Sequence, residues 1–352
     1  MVSKSSGSST PGRPRIEDVA RAAGVSTASV SYALNGRGGV SDKTRQHIVE
    51  VAKRLGWSPH EAARRLSSTR SETIGLVISR AAEVVATEPF FGSFTAGVSE
   101  ALSGLGYSLC FQVVPDVASE MLTLEKWSAR KTVDGVLLLD PRTNDPRIRL
   151  VEELGLPTVI AGGPVESTSV TSVWTDDYTG MRAAVAQLMR LGHRRFARII
   201  ESDTLLHSRV RTKAMVDALA DAGLPDPVLL DLDNSRESIA ALTKAVLDLP
   251  DRPTAVMCDD DLVGISVLAA VNERGLGVPD DVSVMVWDDS LLCQMMTPSL
   301  SAMRRDVLSY GSQSARALVD LVQGARPRAL LHSVPTFVRR ASIGTTSVGP
   351  AS

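Results

Sequence analysis

The chain has only three cysteines in 352 residues: Cys110, Cys258 and Cys293. They lie far apart and form no Cys-x-x-Cys pair, so neither a disulfide framework nor a cysteine zinc site is expected. Two of them sit in apolar runs, where cysteine acts as a small core side chain. No apolar stretch approaches the roughly 18 residues that a membrane span needs. The opening residues, MVSKSSGSSTPG, lack the apolar segment of a secretory leader. These absences point to the reducing cytoplasm and to no membrane partner. Catalytic signatures are missing too. The chain has no Gly-x-x-x-x-Gly-Lys-Ser/Thr phosphate loop, no Gly-x-Ser-x-Gly elbow and no His-Glu-x-x-His pair. No enzyme, cofactor or metal is therefore expected.

The charge that is present is unevenly placed. Residues 1–70 hold 12 Lys/Arg against 5 Asp/Glu, while the remainder holds 26 against 35, so a net charge of -2 hides a basic end on an acidic body. A basic end suits a polyanion such as DNA, although composition alone favours a solvated surface. An apolar content of 43% and a charged content of 22% are ordinary for a globular protein with full cores.

Residues 1–12 are Ser/Gly-rich and read as a disordered tail. Three short helices follow in the segment 13–57. Ile16, Val19, Ala20 and Ala23 share one helical face, Gly24 breaks the pattern, and Val30, Ala33 and Leu34 form a second stripe. Asn35-Gly36 and Gly38-Gly39 mark a loop. Ser41 caps a third helix with Ile48, Val51, Ala52 and Leu55 on one face. Ser58-Pro59 restarts the chain, and residues 58–71 read as a hinge helix of about two turns with a linker, too short to be stable alone in water.

From Thr73 onward apolar runs alternate with amphipathic ones. Strands are expected at 74–78, 108–114, 135–139, 158–161, 197–200, 255–258 and 282–287. Helices are expected at 94–105, 180–191, 211–222, 239–247, 262–274 and 307–322. Such alternation implies parallel sheets covered by helices. The fold class is therefore an N-terminal all-α helix-turn-helix head plus hinge helix on an α/β body of two doubly wound lobes. Ligands of such sheets bind outside the carboxyl ends of the strands.

The junction Ala23-Gly24-Val25-Ser26 between two short helices is a helix-turn-helix pattern, with 27–34 as the recognition helix. Its outer face presents Thr27, Ala28, Ser31 and Tyr32. Ser26, Ser29, Lys43, Thr44 and Arg45 surround it as candidate phosphate contacts, together with Ser31. The ordered elements Ile16-x-Asp18-Val19-Ala20, Ala23-Gly24-Val25-Ser26, Val30-Ser31, Leu34-Asn35, Val40-Ser41, Thr44-Arg45 and Pro59…Ala62-Ala63…Leu66 resemble the head and hinge of the LacI/GalR family of bacterial repressors. The resemblance implies that Thr27, Ala28 and Tyr32 read bases. Many members of that family carry Arg where Tyr32 stands, and a tyrosine offers one hydroxyl in place of a bidentate fork. It further implies that the hinge residues Ala63, Arg64 and Leu66 meet the minor groove, with Leu66 as an apolar wedge; packing of Leu66 on its own domain is the alternative. Gly12-Arg13-Pro14 resembles a minor-groove hook, and a basic linker touching phosphates explains it better.

The body resembles the same family, whose effector module is periplasmic-binding-protein-like. The matching stretches include Ile74-Gly75-Leu76-Val77, Pro89-Phe90-Phe91, Gly192-His193-Arg194 and Asp288-Asp289. The resemblance places the effector-binding and dimerisation domain at 72–345, with lobe 1 at about 72–191 and 306–333, lobe 2 at about 194–304 and 335–345, and a tail at 346–352. Arg211 and Asp288 align with its ligand-binding pair, donor and acceptor for vicinal hydroxyls. Phe90 or Phe91 is expected to stack on a sugar ring, or else to pack in the core. Asp260 stands where the family commonly has an asparagine, which favours a ligand rich in donors, such as a polyol or amino sugar. The segment 80–88 is longer than usual for the family. The run Asp259–Asp261 lies at a strand-to-helix junction, where successive side chains point apart, so no shared metal ion is expected. His193, at a helix C-terminus, has no expected catalytic role.

The whole reads as a sequence-specific regulator of transcription, acting as a repressor, whose binding to a pseudo-palindromic double-stranded DNA operator is controlled by a small carbohydrate-like effector. A homodimer is expected, because one recognition helix covers half a site. A ligand-activated corepressor-type or activating regulator is the alternative, and a cytoplasmic sugar-binding protein without DNA readout is a third reading.

Overall fold

The computed structural model describes residues 14–34, 38–57, 70–165, 167–232 and 236–346. The expected N-terminal tail, Gly12 and Arg13 of the basic arm, and the hinge residues Ala63, Arg64 and Leu66 lie outside the described residues. The chain divides into two compact units, 1–70 and 71–352.

The first unit contains α1 (Ile16–Ala23), α2 (Thr27–Leu34) and α3 (Asp42–Arg54). Gly24 ends α1 at φ +67°, a left-handed conformation that glycine adopts without steric cost. The Val25 amide then donates back to the Ala20 carbonyl at 3.0 Å. Ser26 accepts from the Ser29 amide at 3.1 Å and so starts α2; Ser41 accepts from the Thr44 amide at 3.3 Å and starts α3. Val19, Val30, Ile48 and Val51 are fully buried at the centre of the three helices, with Ala20, Ala23, Ala33 and Ala52 around them.

The second unit is built on two six-stranded sheets. The first comprises β1 (Thr73–Ser79), β2 (Ser108–Val114), β3 (Gly135–Leu139), β4 (Thr158–Ala161), β5 (Thr171–Thr175) and β11 (Ala329–Ser333), in the order β11-β5-β4-β3-β1-β2 and parallel throughout. The second comprises β6 (Phe196–Ile200), β7 (Val228–Asp231), β8 (Ala255–Cys258), β9 (Ser283–Trp287), β10 (Ser301–Arg304) and β12 (Thr336–Val338), in the order β12-β10-β9-β8-β6-β7. Only β12 runs antiparallel to its neighbour.

Helices cover both faces of each sheet. In lobe 1 these are α4 (Ala82–Thr87), α5 (Pro89–Gly104), α6 (Val117–Ala129), α7 (Pro146–Glu153) and α13 (Val307–Val322). Alternate residues of β1 serve the two faces: Ile74, Leu76 and Ile78 pack with Phe94 and Leu318, and Val77 packs with Leu124 and Trp127. Lobe 2 carries α8 (Asp177–Arg190), α9 (Leu206–Asp221), α10 (Arg236–Leu247), α11 (Asp261–Glu273) and α12 (Leu291–Met295). Cys258 and Cys293 are buried small core residues there, in accord with their apolar sequence context.

One expected boundary needs correction. The family boundary placed 177–190 with lobe 1, but Met181, Ala184, Val185 and Leu188 of α8 pack against Phe196, Met215 and Met257 of lobe 2. The chain therefore changes lobe near residue 176. The long segment 80–88 carries α4 over most of its length.

One contact in lobe 1 requires glycine twice. A Cβ on Gly97 of α5 would stand 2.0 Å from the Leu308 carbonyl oxygen, and one on Gly311 of α13 would stand 2.2 Å from the Phe94 carbonyl oxygen. The two helices thus meet backbone to backbone. Among the described residues no helix is long and apolar enough to cross a membrane.

Candidate functional site

Each unit carries one candidate site. In the first unit, Thr27, Ala28 and Tyr32 are exposed on α2, on the face away from Val30 and Ala33. Tyr32 is 43% exposed, large for an aromatic ring with no core to join. The surrounding polar residues are not equivalent. Ser26 and Lys43 are exposed, but Ser29 is tied to Ser26 through amide and hydroxyl, and the Thr44 hydroxyl lies 2.8 Å from that of Ser41. Arg45 donates from Nη1 to the Ala33 carbonyl at 3.2 Å, where a cation suits the C-terminal end of α2. Ser31 is half-buried.

In the second unit a cleft opens where the strands of both sheets end. It spans about 730 Å³ including its open mouth and is lined from both lobes. The residue directly after β1 is Arg80, after β3 Asp140, after β6 Glu201, after β9 Asp288 and after β10 Arg305; Asp177 lies two residues beyond β5, and Asp259 and Asp260 follow β8. All of them line the cleft, together with Glu88, His207, Arg211, Phe90, Phe91 and Tyr310.

The guanidiniums organise most of this charge. Arg80 donates from Nε and Nη2 to Asp140 at 2.9 and 2.7 Å and reaches across to Glu201 of lobe 2 at 2.6 Å. Burial alone would raise the Asp140 carboxyl, yet the Arg80 charge and its hydrogen bonds, with the nearby His207 and Arg147, together outweigh it and hold the group at about 2. Arg211, only 2% exposed, donates to Asp177 at 2.8 Å, approaches Asp259 at 3.5 Å and lies 4.1 Å from the centre of the Trp287 ring. Asp259 also accepts from Arg198 and from the Ser208 hydroxyl. Burial opposes its charge too, but the two guanidiniums hold it at about 2.

Three carboxyls go the other way. Burial, with the neighbouring Asp261 and Asp259, pushes Asp260 up to about 7 although its Oδ1 accepts from the Val263 amide at 2.7 Å. Burial also raises Glu201 to about 7 despite Arg80. Glu88 is raised by burial and by the nearby Glu201 and Asp260. His207 is lowered to about 4, chiefly by burial and next by Arg211, so it is neutral near pH 7.

Arg211, Asp260, Asp288, Phe90 and Phe91 all line this cleft. Asp288 is held by Arg305, Nε to Oδ1 at 2.8 Å and Nη2 to Oδ2 at 2.7 Å. The Phe pair divides: Phe91 is 3% exposed and belongs to the lobe 1 core, while Phe90 is half-buried with the Arg305 guanidinium 4.9 Å from its ring centre. The Asp run does point apart. Asp259 faces Arg198 and Ser208, Asp260 caps α11, and Asp261 accepts from the Ser290 hydroxyl. Among the described residues no group of three His, Cys, Asp or Glu is placed to hold a metal ion. His193 is buried, with Thr254 at 2.9 Å and the Gly344 carbonyl at 3.2 Å on its two ring nitrogens.

Sequence reasoning missed Arg80, Glu88, Asp140, Asp177, Glu201, His207 and Arg305. A signal for most of them exists, because polar residues at the carboxyl ends of parallel strands are where such folds bind ligands.

Residues 15–60 match the family model described as bacterial regulatory proteins, lacI family, and residues 185–343 match that of the periplasmic binding protein-like domain. The HTH-type transcriptional regulator CelR of Thermobifida fusca is 34% identical over 319 residues, covering 89% of this chain and 93% of the relative. The HTH-type transcriptional regulator AglR of Rhizobium meliloti (strain 1021) is 31% identical, covering 96% and 94%. Among solved structures, the transcriptional regulator CelR–cellobiose complex superposes with a TM-score of 0.72 at 31% identity, over 94% of this chain and 100% of that one. The lac repressor dimer bound to operator and the anti-inducer ONPF shares the fold, with a TM-score of 0.80 at 23% identity over 94% and 98%.

Proposed function

The chain belongs to the lacI family of bacterial regulatory proteins and is an HTH-type transcriptional regulator; from that premise we propose that α1–α3 reads an operator as half of a homodimer and that a saccharide in the cleft controls that reading. Thr27, Ala28 and Tyr32 are the base-reading residues of this proposal, with Ser26, Ser29, Ser31, Lys43, Thr44 and Arg45 setting position on the phosphates. Arg45 does so indirectly as well, by fixing the C-terminal end of α2 through Ala33. Ala63, Arg64 and Leu66 enter the minor groove.

The observation that carries the effector site is the cleft itself, where donors and acceptors from the strand ends of two sheets surround an aromatic wall. Vicinal hydroxyls need a donor and an acceptor side by side, which Arg211 with Asp177 and Arg305 with Asp288 both supply. Phe90 offers a ring face for the apolar side of a pyranose. The sugar in the CelR complex gives the class of compound to try first. Because the cleft takes residues from both lobes, a ligand touching both fixes their relative closure, and closure in turn sets the spacing of two heads in a dimer. The apolar side chains Leu291 and Met295 of α12 are 68% and 71% exposed and suit coverage by a second copy.

The test is selection of bound DNA from a random pool at about 0.15 M salt, which suppresses phosphate-only binding. A two-fold-symmetric site of about 14–20 base pairs is the expected product. Release of that site by a saccharide assigns a repressor relieved by its effector, and tighter binding assigns a corepressor mode. Absence of any enriched sequence, with binding that only fades with salt, would defeat the operator reading.

A further inference from the structure

The charge lining the cleft is out of balance, and the imbalance is local. Each guanidinium that lines it is already engaged: Arg211 with Asp177 and Asp259, Arg305 with Asp288, and Arg80 with Asp140 and Glu201. Two carboxyls, Glu88 and Asp260, have no hydrogen-bonded cation among the described residues. Asp260 has one oxygen on the Val263 amide and none on a guanidinium. Glu88, Glu201 and Asp260 lie within electrostatic reach of one another. His207, half-buried and neutral near pH 7, adds no compensating charge.

An inorganic ion is not what this corner fits, because no three carboxylates among the described residues converge at metal-ligand spacing. An ammonium group asks for less: its single charge and three N–H donors are served by one or two carboxylate oxygens, with no need for the full shell of ligands that a bare ion takes. We propose, on the reading that the cleft is the effector site, that the effector is cationic: an aminodeoxy saccharide whose protonated amine sits among Glu88, Glu201 and Asp260. Its hydroxyls then meet Arg211, Asp288 and Arg305, and its ring lies along Phe90.

The protons on the carboxyls make this distinguishable from a neutral sugar. Burial and mutual repulsion keep Glu201 and Asp260 largely protonated below about pH 7 in the empty cleft. A cation drives those protons off. A neutral polyol that accepts hydrogen bonds from the acid forms keeps them on. The sign of the proton exchange therefore reports the charge of the ligand.

The experiment is titration calorimetry of the full-length protein at pH 6.5 in two buffers of different ionisation heat. The probes are glucosamine and the β1,4-linked glucosamine disaccharide, each against its neutral counterpart, glucose and cellobiose. A charge-assisted hydrogen bond predicts that an amino sugar binds about tenfold or more tightly than its neutral counterpart. Net proton release is expected, with affinity rising severalfold from pH 5.5 to 7. The double variant Glu88→Gln with Asp260→Asn should erase the preference. Equal or tighter binding of the neutral sugars, proton uptake, or failure of both amino sugars to bind would overturn the proposal. Cellobiose that binds at least as tightly as its amino counterpart and changes operator affinity would remove only the charge assignment. Sugars that bind without any effect on operator DNA would instead strike the regulator reading on which it rests.

Discussion

Asp260→Asn changes one atom and should make the protein more stable. Asparagine caps a helix as well as aspartate does, so the bond from the Val263 amide to Oδ1 survives and α11 keeps its start. What is lost is a charge that the folded cleft disfavours. The Asp260 carboxyl rises from 3.8 to about 7 on folding. At 1.36 kcal/mol per unit that gap corresponds to about 4 kcal/mol against the ionised form. Asp260 keeps an exposed edge, and relaxation of its acidic neighbours lowers the penalty further, so about 2 kcal/mol is the expected gain above pH 7. The sign follows from linkage. An acid with a raised folded value holds its proton in the folded state while the unfolded chain releases it, so its contribution is fully present below 3.8 and is lost as pH rises through 7. The variant should therefore exceed the parent by about 2 kcal/mol at pH 7.5 and by only about 1 kcal/mol at pH 4.5, where the unfolded carboxyl is mostly ionised but the gap to the folded value is only partly traversed. Urea unfolding at the two pH values measures both differences. Equal gains at both, or a loss at pH 7.5, would show that Asp260 ionises in the cleft without penalty, and the account of the acidic corner would fail.

Other sites make independent predictions. Tyr32→Ala, at an exposed position, should leave the melting temperature unchanged while specific operator affinity falls about 10- to 100-fold, the worth of one base contact, with non-specific binding intact. Ile48→Ala opens a cavity at a fully buried position and should cost the head about 3 kcal/mol, abolishing DNA binding while ligand still shifts the melting of the body. Asp288→Ala leaves Arg305 without its bidentate partner and should weaken saccharide binding at least tenfold by calorimetry, with operator affinity in the absence of ligand preserved. Leu66→Ala should reduce DNA bending in a circular-permutation gel assay if the hinge acts as a wedge.

Much of this was legible from local pattern. The head could be read because its helices each carry an apolar stripe and its caps are residues that cap wherever they occur, Ser26, Ser41 and Gly24. The buried central strands β1, β3, β4 and β8 are short apolar runs and could be read directly. β5 could not, since Thr171, Ser172 and Thr175 give it a polar text although all are buried. β12 is three residues held by a single antiparallel neighbour. In the cleft, Arg211, Asp260 and Asp288 were found by resemblance, but their partners depend on which strand ends lie side by side, and strand order is a long-range property. Nothing near Arg305 announces that it will hold Asp288. Phe90 and Phe91 could be separated only once α5 was known to begin at Pro89, which turns Phe91 and Phe94 inward together.

The glycine contact between α5 and α13 has a mechanical consequence. Side chains cushion most helix pairs, and a push on one helix dissipates in rotamer changes. Here Gly97 bears on the Leu308 carbonyl and Gly311 on the Phe94 carbonyl, with no side chain between to yield. Phe90 stands at the head of α5, and Arg305 lies two residues before α13 begins. A molecule that displaces either one pushes on a joint without slack, so the two helices move as a single rigid lever instead of absorbing the load where it is applied.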